Sequence, residues 1–118
     1  SEDQRLIKQH VIDGYRLLRG CFDFSAAIML SHHRFQSDAY PKKMPKQLHP
    51  YATATRLLIA ESGRMLALAD SYDALHRSNG KFGKALSLDE IREKMLEFNP
   101  DRRKLINALY EARIFGGA

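Results

Sequence analysis

The chain has 118 residues, of which 44% are hydrophobic and 28% are charged, a size and balance typical of one globular domain with a core of its own. Nineteen Lys and Arg residues against 14 Asp and Glu residues give a net charge of +5, which favours anionic partners such as nucleotides, nucleic acid or acidic protein surfaces. This composition argues against a disordered chain, and the absence of an apolar run of about 18 to 20 residues excludes a membrane span.

A single cysteine, Cys21, cannot form an intrachain disulfide, so a reducing cytoplasm is the simplest location. No base flanks this thiol, and we predict a small buried side chain. The longest basic cluster is Lys42-Lys43-Met44-Pro45-Lys46. Because a proline interrupts it and no aromatic residues alternate with the lysines, we predict a solvated loop there rather than a nucleic-acid surface.

The first two helices are predicted over residues 2–19 and 24–33. Ser1 is a candidate N-cap of the first helix, and Gly20 is a plausible stop after it. His10 follows Leu6 by one turn, so we expect it to face the core or its edge. The second helix is apolar nearly all round and ends in His32-His33. From the residues alone, these imidazoles could be packing groups or could border a metal site.

Residues 34–50 contain three of the four prolines and are predicted to form an irregular connection. A long helix follows over residues 51–77, unless Glu61-Ser62-Gly63 breaks it into two. Ser87 and Glu90 form a capping box for a helix to residue 98, and Asn99-Pro100-Asp101 begins the last helix. No strand pattern is present, so the predicted fold is an all-α orthogonal bundle of five or six helices in a single domain, residues 1–118.

Two carboxylates lie near the end of the long predicted helix. Asp73 precedes Arg77 by four residues, which favours an ion pair on a solvated helix surface. Asp70 follows the apolar run 65–69, and an unpaired anion is costly in an enclosed position. We therefore expect Asp70 to have a cation, a metal ion or several hydrogen-bond donors.

Several separated segments together resemble the second half of the HD-GYP subgroup of HD-domain phosphohydrolases. They are, in chain order, His10-Val11-Ile12-Asp13-Gly14, His32-His33, Ala39-Tyr40-Pro41 and Ala69-Asp70-Ser71-Tyr72-Asp73-Ala74-Leu75. The resemblance implies an HD-domain-like bundle that binds divalent iron, manganese or zinc. It also implies that the domain hydrolyses the phosphodiester of the cyclic dinucleotide cyclic di-GMP. This chain would then be the C-terminal part of that domain.

The resemblance also implies roles for individual residues. The positions that match metal ligands are His10, His32, His33 and Asp70. Of these, Asp70 and His33 are the expected catalytic residues. Lys84 and Tyr40 match positions expected to contact the substrate.

The chain departs from the family pattern at several places. It contains no adjacent His-Asp pair, it has Arg34 where the family has a carboxylate after the histidine pair, and it has Ser78-Asn79-Gly80 where many members have an arginine. We therefore expect a fragment that is inactive alone, or else a non-catalytic α-helical binding module in a signalling protein. Helices missing from a bundle would leave apolar surface exposed, so we also expect self-association.

Overall fold

The computed structural model describes residues 1–46, 50–77 and 85–116, and every regular element in these ranges is helical. This confirms the prediction of an all-α protein. Five α-helices and one 3₁₀ turn follow one another in the order α1 (Glu2–Leu18), α2 (Asp23–Ser31), α3 (Thr53–His76), α4 (Leu88–Phe98), the 3₁₀ turn (Pro100–Arg102) and α5 (Arg103–Glu111). None of the helices found in these ranges combines the length and the apolar character needed to cross a bilayer.

The chain divides into two compact units, Ser1–Ala67 and Leu68–Ala118, and the boundary falls inside α3. The prediction of one domain remains a prediction. In the first unit, α1 begins at a capping box in which Ser1 and Gln4 bond to each other's backbone N–H groups. It ends at Leu18, and Gly20 follows with a φ of +89°, a conformation that glycine adopts without strain.

Helix α1 packs directly against α2. Tyr15, Ala26 and Leu30 form the buried contact between them. A Cβ on Gly14 would lie 2.8 Å from Cγ of Met29, so a glycine lets the two helices approach closely at this point. Helix α2 ends at Ser31, two residues before the predicted end, which places the histidine pair just beyond its last turn.

Helix α3 is continuous from Thr53 to His76, so the suggested break at Glu61-Ser62-Gly63 was wrong. Gly63 instead serves packing. It is buried, and a Cβ there would lie 3.2 Å from Cβ of Ser31 and 3.5 Å from the backbone nitrogen of His32. The glycine therefore allows α3 to pass close to the end of α2 where the histidines lie.

The second unit has its own apolar core. Its buried members come from the end of α3, from α4, from α5 and from the C-terminal segment: Leu68, Leu75, Ile91, Met95, Ile106 and Phe115. The predicted capping box of Ser87 and Glu90 is present at the start of α4. The chain then turns back after α5, so that Phe115 stacks on Tyr72 with 4.1 Å between the ring centroids.

Two predictions of burial were wrong. Cys21 is exposed, because it lies in the turn between α1 and α2 rather than in a helix. Leu66 and Ala69 are also exposed, although they were expected to enclose Asp70. The apolar segment 65–69 before Asp70 is therefore exposed on one side of the helix, and Asp70 itself is only partly buried.

Candidate metal centre

Three of the four predicted metal ligands lie together in the first unit. His10 comes from α1, and His32 and His33 come from the end of α2. When one ring nitrogen is taken from each of the three histidines, these three nitrogens all lie within 4.8 Å of one another. The Nε2 atoms of His10 and His32 are 3.2 Å apart, and these residues are 22 positions apart in sequence. We refer to these residues as the histidine cluster.

Hydrogen bonds at the far side of two rings determine where their protons are. Nδ1 of His10 is 2.5 Å from the carbonyl oxygen of Ile7, and Nδ1 of His32 is 2.5 Å from that of Met29. A carbonyl oxygen only accepts hydrogen bonds, so both Nδ1 atoms donate and carry protons. In the neutral rings, both Nε2 atoms are then unprotonated, as in metal-binding histidines whose other nitrogen donates to a carbonyl.

The two unprotonated nitrogens of His10 and His32 face each other. Two lone pairs at 3.2 Å repel unless a positive charge lies between them, and this charge can be a shared proton or a metal ion. Two nitrogens bound to one tetrahedral zinc ion at about 2.0–2.1 Å are about 3.3–3.4 Å apart. The observed separation therefore fits the spacing that one tetrahedral ion requires.

The third histidine is held differently. Nδ1 of His33 is 3.0 Å from the side-chain nitrogen of Gln36. If this amide donates, the neutral His33 ring carries its proton on Nε2 and offers no lone pair there. A 180° rotation of the amide presents its oxygen instead, which moves the proton to Nδ1 and makes Nε2 a ligand atom. Gln36 thus controls whether His33 can bind the same ion.

The cluster is enclosed on one side and open on the other. His32 and His33 are 3% and 8% exposed, whereas His10 is more open to solvent. The ring of Tyr40 stacks on His33 with 4.5 Å between centroids and a 20° angle between the planes. The backbone N–H of Tyr40 also donates to the carbonyl oxygen of His33. The loop after α2 therefore returns over the cluster and covers one of its rings.

Charged side chains surround this loop. Lys8 and Lys42 both contact the Asp38 carboxylate, and the hydrogen bond from Lys8 lowers the pKa of Asp38 below its usual value. Arg34, which follows the histidine pair in the sequence, is exposed. Its Nη1 donates to the carbonyl oxygen of Pro41 at 2.6 Å, so its charge is directed to the loop backbone.

Two further predicted site residues are Asp70 and Lys84. Asp70 is on α3 in the second unit, and its role as a ligand stays a prediction. Lys84 lies outside the residues that the structure describes. Asp73 and Arg77 form the expected ion pair, 3.2 Å long, with both side chains largely exposed. In the described residues up to Ala67, no carboxylate belongs to the histidine cluster.

Sequence reasoning missed Gln36, Lys8 and Asp38. The only signal for Gln36 was its position three residues after His33, and Lys8 and Asp38 are 30 residues apart. Comparison of the chain with protein-family models, curated proteins and solved structures finds no match. Any function assigned to it therefore depends on the geometry of the histidine cluster and on the motifs in the sequence.

Proposed function

We propose that this chain is the metal-binding part of an HD-GYP-like phosphohydrolase of the cyclic di-GMP phosphodiesterase type. The observation that carries the proposal is the 3.2 Å separation of the Nε2 atoms of His10 and His32, on two rings whose Nδ1 atoms each contact a backbone carbonyl oxygen. The order of the histidine motifs and of the segment around Asp70 in the sequence supports the same assignment.

The histidine cluster fits a divalent ion with borderline-soft character. Imidazole nitrogen suits zinc, iron, nickel and copper, whereas a set of carboxylates would suit magnesium, calcium or manganese. Within this set, His10 and His32 hold the ion through Nε2, and the carbonyl groups of Ile7 and Met29 orient the two rings. When bound, such an ion supplies Lewis-acid catalysis of phosphoester hydrolysis.

The residues that this chain supplies do not complete the family's site. The chain has no His-Asp dipeptide, and Arg34 occupies the position of a family carboxylate. In the proposal, His33 and Asp70 are the catalytic residues, Tyr40 contacts the substrate, and further ligands come from residues outside this chain. The chain alone is therefore expected to bind metal without hydrolysing the substrate.

Metal uptake by the purified chain tests the first half of the proposal. Zinc affinity is measured by competition with a chromophoric chelator for the unmodified chain and for His32→Gln. Loss of a ligand should weaken zinc binding by at least about 100-fold, since even outer-shell partners of a ligand are worth 10- to 100-fold. His76→Gln is the matched control, because His76 is an exposed histidine on α3 in the second unit.

Equal zinc affinity in His32→Gln and in the unmodified chain would contradict the proposal. So would an equal loss in His76→Gln, since that result would indicate nonspecific binding by histidines.

Hydrolysis tests the second half, and it uses the full-length protein in which this chain occurs. The metal-loaded protein should linearise cyclic di-GMP, and Asp70→Ala should abolish turnover. Asp73→Ala is the matched control, because Asp73 lies on the same helix but pairs with Arg77 at the surface. Turnover that survives Asp70→Ala, or that is lost equally in both variants, would contradict the role of Asp70.

A second function, a non-catalytic α-helical interaction module, is favoured by one observation. Arg34 replaces the family's carboxylate, and its guanidinium bonds the loop instead. This alternative is a metal-free module, and it predicts that the full-length protein neither binds zinc at the histidine cluster nor hydrolyses cyclic di-GMP. His32→Ala and Asp70→Ala should then retain self-association in light scattering. Loss of self-association in both variants would count against it.

A further inference from the structure

Lys8 lies beside the histidine cluster without belonging to it. It extends from α1 to the loop after α2, where its Nζ is 5.5 Å from the centroid of the Tyr40 ring. The same ring stacks on His33 and lies 6.2 Å from the ring of His10. Lys8 and two members of the cluster are therefore neighbours of a single tyrosine, which places a positive charge at the edge of the candidate metal centre.

Lys8 forms an ion pair with a carboxylate of the same chain. Its Nζ donates to the Asp38 carboxylate, and Nζ of Lys42 is 3.5 Å from the other oxygen of that group. Two ammonium groups thus share one carboxylate, leaving a net positive charge. All three side chains are substantially exposed, with 41%, 66% and 73% of the Lys8, Asp38 and Lys42 side chains accessible. An exposed ion pair of this kind is weak and is readily exchanged for another anion.

We propose that Lys8 binds a phosphoryl group of the ligand that occupies the histidine site, and that Asp38 is the internal anion which this phosphoryl group displaces. The inference rests on the proposed function, because the ligand would be a phosphoester held beside an ion on His10 and His32. The phosphate of such a diester carries one negative charge, as the Asp38 carboxylate does, but an ion on His10 and His32 would attract it as well. Asp38 does not belong to the histidine cluster and would lack that second attraction. A flexible lysine suits a phosphate as a point charge.

Phosphate binding to the zinc-loaded chain tests the role of Lys8. Inorganic phosphate is the probe, and its affinity is measured by isothermal titration calorimetry. Lys8→Met should weaken binding by about tenfold, the value of one charge-assisted hydrogen bond, whereas Lys8→Arg should retain most of the affinity. Lys104→Met removes an equal charge from an exposed position on α5 in the second unit, and it should bind phosphate like the unmodified chain.

The role of Asp38 predicts a change of opposite sign. Asp38→Asn removes the competing carboxylate, so phosphate should bind several-fold more tightly. Asp89→Asn makes the same charge change at an exposed position of α4 and should have a much smaller effect. Unchanged affinity in Lys8→Met, an equal loss in Lys104→Met, or weaker binding in Asp38→Asn would each overturn the proposal.

Zinc affinity separates this inference from the proposed function. Neither Lys8 nor Asp38 belongs to the histidine cluster. Lys8→Met and Asp38→Asn should therefore bind zinc about as tightly as the unmodified chain. If the unmodified chain binds no zinc, the proposed function fails. If it binds zinc but phosphate affinity does not depend on Lys8, only the present inference fails.

Discussion

Replacement of Gly63 by alanine tests whether close helix packing positions the histidine cluster. The added Cβ would lie 3.2 Å from Cβ of Ser31, 3.4 Å from its carbonyl carbon and 3.5 Å from the nitrogen of His32. Ordinary carbon contacts are about 3.5–4.0 Å, so the end of α2 must move by a few tenths of an ångström. Such overpacking costs about 1–3 kcal/mol, while alanine gains about 1 kcal/mol over glycine in helix propensity.

The expected net change for Gly63→Ala is a loss of about 0–2 kcal/mol in the free energy of unfolding, measured by urea denaturation. Zinc affinity should fall as well, because the displaced atoms include the backbone of His32. Ala60→Gly, at an exposed position one turn earlier in α3, measures the propensity term alone. If Gly63→Ala stabilises the protein by the amount that Ala60→Gly costs, and zinc binds unchanged, the close-packing account is wrong.

Three further predictions concern other parts of the chain. The hydroxyl of Tyr110 is buried and has no hydrogen-bond partner among the described residues, so Tyr110→Phe should be neutral or stabilise the fold by up to about 1 kcal/mol; destabilisation in urea would contradict this. Burial raises the pKa of Tyr110, so its neutral form is favoured by folding. The preference of the folded state for neutral Tyr110 is fully present below the unfolded pKa of about 10, and it is lost as pH rises towards the folded pKa. The free energy of unfolding should therefore decrease over this alkaline range. Tyr110→Phe should lack this decrease in denaturation curves at alkaline pH. Exposed apolar side chains on α1, including Leu6, Ile7 and Leu17, should promote self-association, and a monomer in light scattering at high concentration would refute that.

Most of the helices could be predicted because their signals are local. The capping box of Ser87 and Glu90 and the stop at Gly20 depend on residues within one turn of each other. The continuity of α3 could not be predicted in this way. Gly63 is an unfavourable helix residue by propensity, and only its contact with the end of α2 explains why a glycine is present there.

The candidate site was partly predictable for a similar reason. His10 and the pair His32-His33 were identified through motifs, and the structure brings them together. The orientation of their rings could not be foreseen, because it depends on backbone carbonyl groups that any sequence would provide. Lys8 and Asp38 were missed because their contact joins α1 to an irregular loop 30 residues away, where sequence periodicity gives no information.

X-ray absorption spectroscopy at the zinc edge of the loaded chain tests the central claim most directly. The account predicts one zinc ion per chain, with at least two imidazole ligands at about 2.0–2.1 Å, and the loss of imidazole scattering in the double variant His10→Gln and His32→Gln. A chain that takes up no zinc, or zinc surrounded only by oxygen ligands, would contradict it.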